Sequence, residues 1–474
     1  MVGRTVFVLS DFIFLDCRRF CLRFFSGFES THIFGSGTDV LELTKHTEFY
    51  REDLQLAGSM GLDLMRYSAP WHSIERVRGE YDWRWMDEAL RCMNDLGIEP
   101  IIDPLHHTSF PDWLKNGFAN PQFVDSYFRF VEALAERYPH ITHYTVVNEP
   151  FVTTWFCGKT GVWYPFKRGH RNFVPMILNV CEVTNRISRM LVERNPNVQL
   201  VHVDASEQHR ALDVQSEPFA RFMNEMRFLV PDLVLGNVNE QHKLYHYLRE
   251  HGGDEKRLQW FVENPARIDV LGLDYYSHSE LEWNKRGRVY PNLLPEGFVS
   301  VASDYVNRFN LPVMLTETNI RGYVSDRISW LKFMVEQCEM LAGQLKPRDI
   351  EFKGFCWYPF IDSTDWCSLV TKANCNIDPQ GIFWLDRETK RRNPSELSEI
   401  FEALARGVIT SKDIPAYRFQ GPLDKALKNF LPMMSHWNWR EPGTGGTKKT
   451  RRIIVPNLEK PFVKPKAKKA DLVS

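Results

Sequence analysis

Nine cysteines, an odd number, are scattered through 474 residues without a CxxC pair or the spacing of a zinc finger. That pattern argues against a disulfide scaffold and against a structural zinc site, and it reads as reduced, buried thiols of a cytoplasmic protein. Long apolar runs are lacking too, so no integral membrane segment is expected. Near the N-terminus, Val6–Leu9 and Phe12–Leu15 are apolar, but Asp11 and Asp16 interrupt them and Arg18, Arg19 and Arg23 follow. A secretory leader wants an unbroken apolar core and a small-residue cleavage site, so residues 1–24 read as a poorly ordered extension. No G-x-G-x-x-G or phosphate-binding loop follows an expected strand, which removes nucleotide-binding classes. Charge of one sign is also missing. The formal net charge is −1, so no global field favours nucleic acid or acidic lipid.

What the chain has is alternation. From about residue 24 to 408, apolar β-rich runs alternate with helical patterns, which argues for βαβ units around a parallel sheet. Strands are expected near 23–28, 62–68, 98–105, 142–147, 198–204, 268–273, 311–316 and 352–357. Helices are expected near 50–60, 83–96, 121–137, 174–194, 325–342 and 394–405, with several helical pieces between 217 and 264. Eight strands separated by helices close more economically into a (β/α)₈ TIM barrel, a single catalytic domain over 25–410, than into an open sheet. The segment 411–474 differs. It carries a Gly-Thr-Gly-Gly stretch and many lysines, and reads as a basic extension, disordered at its end, with an electrostatic contact to an anionic surface as the alternative.

In such barrels the working residues stand at the C-terminal ends of strands. Strand 4 ends Val147–Asn148–Glu149–Pro150 and strand 7 ends Thr316–Glu317–Thr318–Asn319. Either glutamate alone could be a helix-capping residue. Two carboxyls at the ends of strands 4 and 7 of one barrel are what glycosidic bond cleavage requires, one to protonate the leaving oxygen and one to attack or activate water. Aromatic residues, 13% of the chain, recur near these strand ends and suit the flat C–H faces of sugars.

The motifs arrive in a recognisable order. Asn-Glu-Pro after strand 4 and Thr-Glu after strand 7 resemble those of glycoside hydrolase family 1, the β-glucosidase-like barrels. So do Met65–Arg66–Tyr67–Ser68, His107 ahead of Pro111 and Trp113, Gly272–Leu273–Asp274–Tyr275–Tyr276, Pro295–Glu296–Gly297, and the stretch from Trp357 to Trp366. The resemblance covers about residues 25–405. It implies a retaining β-glycosidase with Glu149 as general acid/base and Glu317 as nucleophile, needing no cofactor and no metal. It further implies that Arg66 keeps Glu317 ionised, Tyr275 donates to Glu317, Asn148 binds the sugar 2-hydroxyl, His107 binds another hydroxyl, Trp357 forms a stacking floor, and Asp365 and Trp366 face hydroxyls further round the ring.

Several positions depart from the family pattern. Asp274 stands for asparagine, Asp365 for glutamate and Thr108 for tryptophan, and the Gln-x-Glu-Gly segment after strand 1 is missing. Glu29 and His32 are the candidates to replace it as a sugar clamp. The kept residues are catalytic and the changed ones read the sugar, so the expected partner is a β-glycoside of altered specificity. A transglycosylase with the same glutamates and a non-catalytic sugar-binding barrel are the alternatives, the latter disfavoured because both glutamates are present.

Overall fold

The computed structural model describes residues 22–292, 295–364 and 377–415. Most of both expected extensions therefore lies outside the described residues, as do Asp365 and Trp366.

Eight parallel strands close into a barrel: β1 (Phe24–Gly27), β2 (Leu64–Ser68), β3 (Glu99–Asp103), β4 (His143–Tyr144), β5 (Gln199–Ala205), β6 (Val270–Asp274), β7 (Val313–Glu317) and β8 (Phe352–Trp357). Each strand pairs with its neighbour in sequence, and β1 pairs with β8 to close the ring. This is the (β/α)₈ TIM barrel. Strand β4 is much shorter than the expected run. The chain continues it through single bridges, with Asn148 paired to His106 on one side and to Val203 on the other. The main helices are α1 (His46–Ser59), α2 (Arg84–Leu96), α3 (Phe123–Arg137), α4 (His170–Arg194), α5 (Glu217–Met226), α6 (Leu229–Val234), α7 (Tyr245–Glu250), α8 (Glu255–Glu263), α9 (Phe298–Phe309), α10 (Val324–Leu345) and α11 (Glu396–Ala405).

The helices form for local reasons. Along α2, Met86, Ala89, Leu90 and Met93 recur at helical spacing and are the buried face. Gly97 ends it in the left-handed region at φ 70°, where a side chain would be strained. Helix α9 was not expected from the sequence, nor was a three-stranded sheet of Gln208–Ala211, Glu280–Trp283 and Val289–Pro291. That sheet joins the chain after β5 to the chain after β6. Its strands are three or four residues long, and Gln208–Ala211 lies far in sequence from the other two, so no local period announces the sheet.

The core has two layers. Inside the barrel, Phe25, Leu64, Ile101, Val203, Val270 and Met314 pack with Cys356 and Tyr358. A larger apolar layer lies outside it and includes Leu271, Leu273, Tyr275 and Trp357. Successive side chains of a strand point to opposite faces, and this parity decides which residues can reach the mouth of the barrel. Among the described residues no helix is long and apolar enough to cross a membrane, and Cys92, Cys157, Cys181, Cys338 and Cys356 are free thiols.

Candidate active site

Asn148 and Glu149 are pinned by backbone hydrogen bonds from both sides. The Asn148 amide donates to Leu105 at 3.0 Å, and the Glu149 amide donates to Val203 at 3.1 Å. Glu149 then turns into the left-handed region, with φ 41°. Such a conformation is costly for a residue with a Cβ and tends to be kept where it aims a functional side chain. Pro150, whose fixed φ suits a first helical position, starts the short helix that follows.

Strand β7 delivers Glu317 through a bulge. Leu315 pairs with Leu273, yet Glu317 pairs with Asp274, so β7 advances two residues while β6 advances one. A bulge re-aims side chains locally. Here it lets both Thr316 and Glu317 face Asp274, and the Thr316 hydroxyl donates to Asp274 Oδ1 at 2.7 Å.

Three carboxyl groups thus meet. One oxygen each from Glu149, Asp274 and Glu317 lie within 4.8 Å of one another, and all three residues are buried. An all-carboxylate set could gather a hard cation such as magnesium or calcium. Arg66 already brings positive charge there. Its Nη1 lies 2.5 Å from Glu317 Oε1, and its Nη2 donates to Asn148 Oδ1 at 2.6 Å. Glu149 has no such partner. Among the described residues no Arg or Lys pairs with it, and its Oε2 lies 3.6 Å from His107 Nε2. Burial, then the neighbouring Glu317 and Asp204, push the Glu149 carboxyl well above the usual carboxylate range.

The second hold on Glu317 corrects one expectation. Tyr276, not Tyr275, donates to Glu317 Oε2, at 2.7 Å. Asp274 points into the barrel, so Tyr276, two residues on, does too, while Tyr275 turns outward. The Tyr275 hydroxyl donates instead to Glu280 Oε1 at 2.9 Å. Glu280 also accepts from the Glu296 and Gly297 amides, at 2.8 and 2.7 Å, so the Pro-Glu-Gly motif serves to anchor this loop.

Parity corrects Trp357 in the same way. It is fully buried outside the barrel, with Nε1–H donating to Gln380 O at 3.0 Å, and is no floor for a sugar. The strand-8 aromatic on the inner side is Tyr358, whose ring lies 5.1 Å from the Arg66 guanidinium.

His107 is brought to the site. It adopts φ 53°, its Nδ1 lies 2.8 Å from Thr153 Oγ1, and its ring packs 5.0 Å from Trp163. Burial, then the charge on His106, hold it well below the ordinary imidazole range, so it is neutral.

His106, which the sequence did not single out, is the charged member of the pair. Its Nδ1 lies 2.6 Å from Asp103 Oδ2 and its Nε2 lies 3.4 Å from Glu29 Oε1. Burial opposes its charge, but Asp103 and then Glu29 outweigh it and lift His106 to about 10. Burial likewise opposes ionisation of Glu29, yet His106 draws that carboxyl down to about 2. Glu29 therefore joins the site as a fixed carboxylate. His32 does not join it in the same way, for its ring stacks on His72 at 4.1 Å. Besides Glu29, an acid at a strand end, Asp103, is the sequence signal that could have led to His106.

A barrel whose mouth gathers buried carboxyl groups, one ion-paired and one not, has the arrangement that glycoside hydrolysis requires. Comparison with known proteins agrees. Residues 38–286 match the model of glycosyl hydrolase family 1. β-Glucosidase A of Thermotoga maritima is 23% identical over 393 residues, covering 73% of this chain and 83% of that protein. β-Glucosidase 34 of Oryza sativa is 30% identical over 426 residues, covering 75% of this chain and 81% of that one. Among solved structures, a β-glucosidase from Thermotoga maritima superposes with a TM-score of 0.69 at 17% identity, over 81% of this chain and 97% of that chain, which bears on the fold. The chain belongs to glycosyl hydrolase family 1.

Proposed function

We propose that this glycoside hydrolase is a retaining β-glycosidase, β-glucosidase-like in substrate class, working by double displacement. Glu317 attacks the anomeric carbon while Glu149, protonated at rest, gives its proton to the leaving oxygen. Glu149 then takes a proton from water, which releases the sugar with its configuration kept. The observation that carries the reading is the asymmetry of two adjacent carboxyls. Glu317 has Arg66 as counterion and Tyr276 as donor, whereas Glu149 is buried, pairs with no Arg or Lys among the described residues, and holds its proton. Their oxygens lie within 4.8 Å. That favours retention, in which the carboxyl groups stand about 5–5.5 Å apart, over inversion, in which a water needs about 6.5–9.5 Å. Asn148, held by Arg66, is oriented toward the sugar 2-hydroxyl in this reading. His107 and Glu29 bind other hydroxyls, and Asp365 and Trp366, outside the described residues, are the motif residues expected to face hydroxyls further round the ring. The catalytic domain is residues 25–410. A reducing, cytoplasmic location belongs to the proposal and is supported by five free thiols among the described residues.

Release of nitrophenol from a panel of nitrophenyl glycosides tests it. Glu317→Ala should abolish turnover, and azide should restore it as the inverted glycosyl azide. Glu149→Ala should lower kcat/KM by about 10²–10⁴ on a poor leaving group, the usual worth of a general acid. In the wild type, activity should persist above the ordinary carboxyl range and fall as Glu149 loses its proton. Turnover that survives Glu317→Ala, or a product of inverted configuration from the wild type, would overturn the assignment.

A further inference from the structure

Strand β6 presents an acid to a site that already holds two. Asp274 is 1% exposed and points into the barrel. Its Oδ1 accepts from the Thr316 hydroxyl at 2.7 Å, while its buried Oδ2 makes no hydrogen bond among the described residues. The groups facing it come from every side. They are Glu317 and Thr316 on β7, Glu149 after β4, Arg66 on β2, the Tyr276 hydroxyl and the Cys356 thiol on β8. Its partner on β5 is Ala205, which carries no charge. Arg66 is the cation of the group, and its guanidinium nitrogens are engaged by Glu317 and Asn148.

Carboxyl groups this close, in a buried site with one cation, do not all ionise together. A protonated carboxyl offers one O–H donor and one acceptor, the same pair of functions that an asparagine side chain offers in nearly the same shape. Here the acceptor is already used by Thr316, so the donor is the function left over.

We propose that Asp274 works as a neutral carboxylic acid whose Oδ2 hydroxyl donates a hydrogen bond to a hydroxyl group of the bound sugar, making it a specificity-determining residue. The proposal rests on the assignment of Glu149 and Glu317 as the catalytic pair. Burial, then the charge of Glu317, hold the Asp274 proton well above the usual carboxylate range, against the pull of Arg66.

Two measurements test it. The first needs no substrate: thermal unfolding of wild type, Asp274→Asn and Asp274→Ala between pH 4.5 and 8. The folded wild type keeps a proton that the unfolded chain releases above about pH 4. Wild-type stability therefore falls with rising pH by a linkage that the amide lacks. The Tm of Asp274→Asn minus that of wild type should become steadily more positive as pH rises. A difference that stays flat across this range overturns the proposal, because Asp274 would then be ionised in the fold.

The second measurement is turnover of a nitrophenyl β-glycoside. Asp274→Asn should keep kcat/KM within about threefold at pH 6 and show a shallower alkaline limb. Asp274→Ala should lose more than about tenfold, the scale of one buried hydrogen bond. Asparagine as damaging as alanine overturns the donor role. A wild type inactive on every glycoside would instead sink the catalytic assignment, and the Tm series would still decide the protonation state of Asp274.

Discussion

At Glu317 two side chains meet one carboxylate. Arg66 supplies charge from β2, across the barrel, and Tyr276 supplies a hydroxyl from the end of the adjacent β6, and both reach Glu317 through the inner face of the barrel. Tyr275 stands beside Tyr276 in sequence, yet its hydroxyl serves Glu280 on the other side of the wall. The two tyrosines therefore predict different losses. Tyr276→Phe removes a hydrogen bond to a charged group, worth about 1.5–3 kcal/mol, and should lower kcat roughly ten- to a hundredfold with the Tm little changed. Tyr275→Phe should lower the Tm through the anchored loop and leave kcat near wild type. Steady-state kinetics beside thermal unfolding of both variants checks the contrast. Reversed results would put the wrong tyrosine in the site.

At the scale of the strand, the aim of Glu317 depends on how closely β6 and β7 pack. Gly272 makes that approach possible. A Cβ there would lie 2.7 Å from Thr316 Cγ2, 2.9 Å from Thr316 Oγ1 and 2.9 Å from Val203 Cγ2. The barrel wall is too tightly packed to absorb such contacts, and overpacking of this kind costs about 1–3 kcal/mol. Because Thr316 precedes Glu317 and holds Asp274, Gly272→Ala should displace both carboxyls. Activity is expected to fall by more than the lost stability accounts for. Unfolding midpoints and kcat/KM measured on the same preparation would show it, and full activity would mean that the bulge, rather than this contact, sets the position of Glu317.

Across the whole molecule, the His106 network ties the chain after β1 to the chain around β3. Its charge states give the fold a pH signature. The raised His106 contributes stability that is full below its unfolded value near 6.5 and is lost as pH rises through about 10. The depressed Glu29 contributes stability that is present above its unfolded value near 4.3 and is lost as pH falls toward about 2. Both contributions are complete between about pH 4.5 and 6.5. His106→Gln should therefore cost most stability in that window, with the deficit shrinking as pH rises toward 10. A deficit independent of pH would mean that His106 is neutral in the fold.

The eight strands, most helices and both glutamates could be read from the chain, because each rests on a local pattern: an apolar run, a helical period, a glycine stop, or an acid just past a strand. The short strands of the added sheet could not, since three or four residues give too little pattern and Gln208–Ala211 pairs with a strand distant in sequence. Tyr276 and Tyr358 were legible in principle, because parity counted from Asp274 and Cys356 points to them. The motif resemblance, taken without that count, led to Tyr275 and Trp357 instead. By itself the sequence pointed to the family and the barrel and set two glutamates at the ends of its fourth and seventh strands. The tertiary structure decided which side of the wall each aromatic faces, that Tyr276 rather than Tyr275 donates to Glu317, and that His106 lies between two acids. Those outcomes depend on closure of the ring and on the bulge in β7, which bring together strands hundreds of residues apart, and charge in a buried site is set by neighbours in space.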